Sequence, residues 1–212
     1  MSTLTGIFGG TFDPIHNAHL RVALDVVEAG GLEALRLIPC HIPPHRETPQ
    51  VDADTRLHML RLAVAGEPRF LVDDRELRRD GPSWTVDTLR TLRSDFPDRH
   101  FCLLMGSDSF RGLPGWSRWQ ELAEQAHLVV MQRPDPGRAM PEELTRWLRG
   151  RETADWSVLH RESAGRVLFQ SVAQLAISAT DIRARLAQGG SIRYLVPDPV
   201  WDHIEKARLY RP

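Results

Sequence analysis

The chain has 212 residues, and its 27 lysine and arginine side chains nearly balance its 28 aspartate and glutamate side chains. This length suits one α/β domain with a full hydrophobic core, and the charge balance argues against the basic surface that nucleic-acid and membrane binders need. No apolar stretch is long enough to span a membrane, no secretion signal is present, and Cys40 and Cys102 have no metal or redox spacing, so we expect a cytoplasmic protein.

The first element is an apolar strand that stops at Gly9 and Gly10, and a helix follows after Pro14. Because glycine has no Cβ atom, the backbone here can take positive φ angles and let a ligand approach its N–H groups closely. His16 and His19 lie three residues apart where the helix begins, which places both imidazoles on one face. Since helix starts are electropositive and offer N–H donors, the pattern predicts a polyphosphate site. The alternative is ordinary turn chemistry with two surface histidines.

A helix over residues 18–29 and a strand over residues 32–39 come next. The loop over residues 40–49 contains two adjacent prolines, which keep the chain extended. His45 and Arg46 are therefore held after a strand end, at the edge where open α/β sheets bind ligands. The alternative is a solvated loop.

The pattern then predicts a helix over residues 54–65 and a third strand over residues 70–74. A further helix runs to about Phe96. Ser83 or Thr85 can cap the start of this helix, which is the ordinary role of such hydroxyl groups.

A continuous apolar run over residues 101–105 predicts a fourth strand that is buried on both faces. In a doubly wound sheet this strand should lie beside the first, at the point where the winding reverses. Gly106 and Asp108 follow at its carboxyl end. A carboxylate at this position, Asp108, faces the ligand crevice of such a sheet, and the alternative is a turn or cap residue.

Two tryptophans follow in a loop that is broken by proline and glycine and that opens a helix. We expect Trp119 to pack in the core, whereas a Pro-Gly step holds Trp116 in the loop. The next strand, over residues 127–134, contains Arg133 at its end. This arginine either contacts a phosphate or substrate at the same sheet edge or lies on the surface.

Within residues 135–165 the sequence pattern predicts one helix around residues 141–149 and otherwise a polar, loop-rich stretch. A sixth strand is expected over residues 167–170. Ser178 then precedes an amphipathic helix with Asp181 three residues later, which is an ordinary capping box. The chain closes with a terminal amphipathic helix.

Residues 9–19 resemble the GGTFDPxHxGH signature of the bacterial nucleotidylyltransferases, specifically that of the nicotinate-nucleotide adenylyltransferases. Ala18 departs from this signature, since the family has glycine there, next to the expected adenine position. Further segments match the family's motifs in the family's order, and these are PPHR, PSWT, GSDS, the Trp116 loop, Arg133 and ISATDIR. The resemblance therefore extends over nearly the whole chain.

The resemblance implies an α/β fold with a single Rossmann-like, doubly wound and mainly parallel sheet of about five or six strands and helices on both faces. One domain is expected over residues 1–212, with a helical segment of about residues 178–212 packed on it. The implied reaction is adenylyl transfer from ATP to nicotinate mononucleotide, which yields deamido-NAD and pyrophosphate for NAD biosynthesis. Mg²⁺ is expected to accompany the ATP phosphates, because no carboxylate cluster in the sequence offers it a protein cage.

The resemblance also implies roles for individual residues. The catalytic residues would be His16, His19 and Arg183. The residues that contact ATP would be Gly9, Gly10, Thr11, Phe12, His16, His19, His45, Arg46, Gly106, Asp108, Ser178, Thr180 and Arg183. The residues that contact the mononucleotide would be Ser83, Trp84, Thr85, Asp108, Trp116 and Arg133. A tryptophan face suits the charged pyridinium ring of nicotinate mononucleotide, and the start of the Ser178 helix would form a second anion site.

Several alternatives stay open at the level of sequence. The acceptor could be pantetheine phosphate or nicotinamide mononucleotide. A class I aminoacyl-tRNA synthetase fragment has a similar histidine pair, but it would need an RNA-binding domain and a basic surface. A non-catalytic nucleotide sensor could share the same fold. The sequence contains neither a P-loop nor a G-x-G-x-x-G motif, and it does not reveal the oligomeric state.

Overall fold

The computed structural model describes residues 3–42, 48–132 and 139–211. The strands of this part of the chain form one sheet. Their bounds are β1 (Leu4–Gly10), β2 (Ala34–Pro39), β3 (Phe70–Val72), β4 (His100–Gly106), β5 (His127–Gln132), β6 (Glu152–Thr153) and β7 (Val167–Ser171).

The strands lie in the order β3-β2-β1-β4-β5-β7-β6. The neighbouring pairs β1–β4, β4–β5, β5–β7 and β7–β6 are parallel. Ile7 of β1 is opposite Leu103 of β4, which confirms that the fourth strand lies beside the first, where the winding reverses. The sheet has seven strands instead of the expected five or six. The additional strand is β6, and with two residues it is too short to produce an alternating pattern in the sequence.

The helices of the described residues agree with most of the predicted ones. Their bounds are α1 (Asn17–Gly30), α2 (Ala53–Val64), α3 (Thr85–Asp95), α4 (Ser107–Arg111), α5 (Leu122–Gln125), α6 (Glu142–Leu148), α7 (Trp156–Arg161), α8 (Ala179–Ala187) and α9 (Asp198–Lys206). The sequence did not predict the short helices α4 and α7. Within the described ranges, no helix combines the length and the apolar character that crossing a bilayer requires.

The chain divides into two compact units, and the first comprises Met1–Phe8, Asp25–Arg36 and Trp84–Ala173. Strands β4 and β5 supply much of its core, since residues 101–105 and 127–131 are buried. Such continuous burial is typical of parallel strands that are covered on both faces. The apolar runs that the sequence displays therefore form much of the core of this unit.

The second unit comprises Gly9–Leu24, Leu37–Ser83 and Gln174–Pro212. Here α9 packs on α2, and the rings of His58 and His203 lie 4.6 Å apart. The C-terminal segment thus packs within this unit, while the expectation of a single domain over the whole chain stays a prediction. The second unit contains the turn between β1 and α1, from which the candidate site is built.

Candidate functional site

The turn after β1 differs from the sequence-based expectation in one respect. Neither Gly9 nor Gly10 uses the positive φ that is open to glycine, because both lie in the strand, and the buried Phe12 has a φ of 49° instead. Gly10 has a steric role, since a Cβ atom there would lie 2.9 Å from the Phe12 ring. A Cβ atom on Gly9 would meet none of the described atoms within 4 Å. The strand end at Gly9 is therefore open, while Phe12 is held in a conformation that large side chains rarely adopt.

His16 and His19 lie together at the start of α1, as the sequence predicts. Their rings stack with centroids 3.6 Å apart, and the edge of the Phe12 ring meets His19 at 5.4 Å. His16 is 5% exposed, and this burial lowers its pKa from 6.5 to about 4. Its Nδ1 atom is buried and has no hydrogen-bond partner among the described residues. Near pH 7 the site thus contains a neutral imidazole at an electropositive helix start.

Three segments converge on Asp13, which is 4% exposed. The Tyr210 hydroxyl donates to Asp13 Oδ1 at 2.7 Å, and the backbone N–H of Gln50 donates to Oδ2 at 2.9 Å. Arg183 Nη1 donates to the Asp13 carbonyl oxygen at 2.7 Å and lies 3.8 Å from Oδ2. The sequence does not reveal this role of Asp13, because an Asp-Pro step suggests only a turn and the partners are distant in sequence. A buried carboxylate needs such donors, so Asp13 anchors the turn.

Arg56 is a second residue that sequence reasoning missed. This side chain of α2 is buried, and its Nη1 atom donates to the carbonyl oxygens of Thr11 and Cys40, each at 2.8 Å. A third hydrogen bond, from Nη2, reaches the carbonyl oxygen of His41 at 3.4 Å. Arg56 therefore joins the segment after β1 to the segment after β2. Helical periodicity offered a signal, since Arg56 lies on the same face as the buried Leu60 four residues later.

The start of α8 confirms the predicted cap. Ser178 Oγ accepts a hydrogen bond from the backbone N–H of Asp181 at 3.1 Å and donates to Asp181 Oδ2 at 2.7 Å. Thr180 is exposed in the first turn. Arg183 extends from the same helix to Asp13, and its buried Nε atom lacks a partner within the described part of the chain. A second anion site at this helix start stays a prediction.

The start of α3 corrects a prediction, because neither Ser83 nor Thr85 caps it. The N-cap residue is Trp84, and the described residues provide no side-chain hydrogen bond there. The hydroxyl oxygen of the buried Ser83 instead accepts from the backbone N–H of His41 at 3.0 Å, and Ser83 N–H donates to Ile42 O at 3.0 Å. Ser83 thus holds the loop after β2, which leaves the start of α3 uncapped by these hydroxyls.

Gly106 and Asp108 lie where β4 passes into α4, in the first unit. The Asp108 side chain is 82% exposed, and its Oδ1 atom accepts a hydrogen bond from Arg111 Nη1 at 2.7 Å. Trp116 is half-buried after a 3-10 turn. Trp119 is buried against Trp147, which confirms its predicted packing role. Ligand contacts of Asp108 and Trp116 stay predictions.

Three predicted site residues, His45, Arg46 and Arg133, lie outside the described residues. Among the residues that are described, no group of three or more histidine, cysteine, aspartate or glutamate side chains could hold a metal ion. The structure therefore brings together His16, His19, Asp13 and Arg183 within the second unit.

Comparison with known proteins agrees with the sequence motifs. The family model described as cytidylyltransferase-like matches residues 7–185. A "Probable nicotinate-nucleotide adenylyltransferase" of Pseudomonas putida is 51% identical over 207 residues, covering 97% of this chain and 94% of the relative. A protein of the same name from Aeromonas hydrophila is 49% identical over 207 residues, covering 98% of this chain and 97% of the relative.

A solved structure shares the fold. The nicotinic acid mononucleotide adenylyltransferase of Plasmodium falciparum, complexed with NaAD, superposes with a TM-score of 0.75. It is 18% identical in sequence, and the match covers 98% of this chain and 97% of that chain. The similarity confirms the α/β architecture with its parallel sheet.

Proposed function

Since the chain belongs to the nicotinate-nucleotide adenylyltransferases within the cytidylyltransferase-like family, we propose that it transfers the adenylyl group of ATP to nicotinate mononucleotide in NAD biosynthesis. The products are deamido-NAD and pyrophosphate. The coverage of nearly the whole of each relative supports this assignment.

The observation that carries the proposal is the stacked pair of His16 and His19 at the start of α1. Imidazole N–H groups and the backbone N–H groups of a helix start can donate hydrogen bonds to phosphate oxygens. Arg183 is held beside the same turn through the Asp13 carbonyl and retains a buried Nε donor. These groups suit the charge of a triphosphate and of the pyrophosphate that leaves.

The reaction needs no covalent intermediate on the protein. A phosphate oxygen of the mononucleotide attacks the α-phosphorus of ATP, and the bond from that phosphorus to the oxygen bridging the β-phosphorus breaks. The protein contributes alignment and charge neutralisation. Mg²⁺ enters with ATP as part of the substrate, because triphosphate oxygens are good ligands for this ion.

The remaining predicted residues complete the proposal. Gly9, Gly10, Thr11 and Phe12 would approach ATP, together with Gly106, Asp108, Ser178 and Thr180. His45 and Arg46 would steady the leaving pyrophosphate. The mononucleotide would contact Ser83, Trp84, Thr85, Asp108, Trp116 and Arg133, with the Trp116 ring facing the pyridinium charge.

The test measures pyrophosphate release from Mg²⁺–ATP with nicotinate mononucleotide, nicotinamide mononucleotide and pantetheine phosphate in parallel. We expect the highest kcat/KM with nicotinate mononucleotide. His19→Ala should keep the fold but lower kcat on the order of 10²-fold, the scale of removing one transition-state donor. The exposed His58 provides a matched control, since His58→Ala should leave kcat unchanged.

Two outcomes would contradict the proposal. Unchanged turnover by folded His19→Ala protein would exclude the catalytic role of the histidine pair. ATP binding without pyrophosphate release, whichever acceptor is present, would indicate a nucleotide sensor.

A further inference from the structure

Tyr210 lies after α9, near the end of the described chain, and is remote in sequence from the motifs of the site. Arg208 and Tyr210 have φ angles of 51° and 62°. Residues other than glycine rarely adopt this left-handed conformation, so the surrounding contacts have to stabilise it. The described contact of the Tyr210 hydroxyl is with Asp13 Oδ1, at 2.7 Å.

We propose that Tyr210 is a positioning residue that acts through Asp13 to hold Arg183 and the histidine-bearing turn in place for the triphosphate. This inference rests on the function proposed above. It assigns a role in the reaction to a residue that lies outside the motifs of the sequence.

The contacts of Asp13 explain how the effect is transmitted. The Tyr210 hydroxyl donates to Oδ1 and the Gln50 N–H to Oδ2, so each oxygen of this buried carboxylate has its own short hydrogen bond. Without the hydroxyl, Oδ1 loses that donor, and an unsatisfied buried carboxylate oxygen is unfavourable. The carboxylate would then shift, and with it the carbonyl oxygen that accepts from Arg183 Nη1. His16 follows three residues later on the same turn.

The chain offers a matched pair of variants, because Tyr194 and Tyr210 are its two tyrosines. Tyr194 is 77% exposed, so Tyr194→Phe removes a hydroxyl from the surface. For Tyr210→Phe we expect the KM for ATP and the Kd for ATP each to rise about tenfold, the size of one hydrogen bond to a charged group. The KM for nicotinate mononucleotide should stay unchanged, and Tyr194→Phe should match the wild type.

A merely structural role would give a different result. Tyr210→Phe would then lower the melting temperature and the folded fraction, while both KM values and the Kd for ATP would equal those of Tyr194→Phe, and this would overturn the inference.

Asp13→Asn, which removes the charge but keeps an oxygen acceptor, supplies a second test through a double-mutant cycle. The effect of Tyr210→Phe on ATP affinity should be smaller in the Asp13→Asn background. Equal effects in both backgrounds would overturn transmission through Asp13.

Burial and the contact with Asp13 raise the pKa of Tyr210, so its hydroxyl keeps its proton near pH 7 and can donate to the carboxylate. The affinity for ATP separates this inference from the proposed function, because it can be measured without turnover. Absence of turnover in the wild type would refute the proposed function, but the comparison of ATP affinities would still test the role of Tyr210.

Discussion

At the scale of single residues, His16 couples the stability of the protein to pH. Its pKa is about 4 in the folded protein, against 6.5 in an exposed chain, because burial disfavours the imidazolium. Above about pH 6.5 the His16 imidazole is neutral in both the folded and the unfolded state, so it does not lower the free energy of unfolding. As the pH falls from 6.5 towards 4, the unfolded chain binds a proton that the folded protein does not. Stability is therefore lost over this window, by at most on the order of 3 kcal/mol.

We expect the free energy of unfolding in urea to fall between about pH 7 and about pH 4.5, and to fall less for His16→Asn than for the wild type. The comparison uses the difference between the two pH values, so any general effect of the substitution cancels. An equal loss in the wild type and His16→Asn would show that other groups cause it.

The residues of the site were predictable to the extent that they form local patterns. The spacing of His16 and His19 placed both rings on one face, and the stacked pair confirms this. Asp13 and Arg56 were not found, because their roles depend on partners brought together only by folding. The sequence singled out Gly10 for its missing Cβ atom, and the structure shows that this absence accommodates the Phe12 ring, while the φ angle of Gly10 is not positive.

At the scale of elements, the cap of α8 connects local stability to the site. Ser178→Ala would leave the N–H of Asp181 without its side-chain acceptor, and loss of such a cap costs about 1 kcal/mol. Fraying of the first turn would also loosen Arg183, which lies near the start of the helix. We therefore expect a lower free energy of unfolding in urea and weaker ATP binding. Ser178→Thr keeps an oxygen acceptor and should retain most of both, and no loss in Ser178→Ala would contradict a stabilising cap.

Long, strongly periodic elements were predictable, and weakly patterned ones were not. The amphipathic helices α1, α2 and α9 lie where hydrophobic spacing placed them. β6 has two residues and forms only by pairing with β7, so tertiary context decides its existence. The start of α3 shows the same limit. Serine often caps helices, but the hydroxyl oxygen of Ser83 accepts a hydrogen bond from the backbone N–H of His41 instead.

At the scale of the whole molecule, the resemblance implied a doubly wound, mainly parallel sheet, and in such a sheet the buried apolar run of the fourth strand was expected beside β1, where it lies. The division into two compact units did not follow from the sequence, since no change of composition marks it and β1, α1 and β2 each contribute residues to both units. Whether these units unfold together as one domain is therefore a matter for experiment.

The reactivity of the Cys102 thiol can test whether the two units unfold together. Cys102 is fully buried in β4, and burial raises the pKa of its thiol, so it should react with a disulfide reagent only when the first unit opens. Cys40 is half-buried, so Cys40→Ser removes the competing thiol. If residues 1–212 form one cooperative domain, the urea midpoint of Cys102 labelling should coincide with that of far-UV circular dichroism, which reports helices of both units. Separate midpoints would show that the two units unfold independently and would refute the single domain.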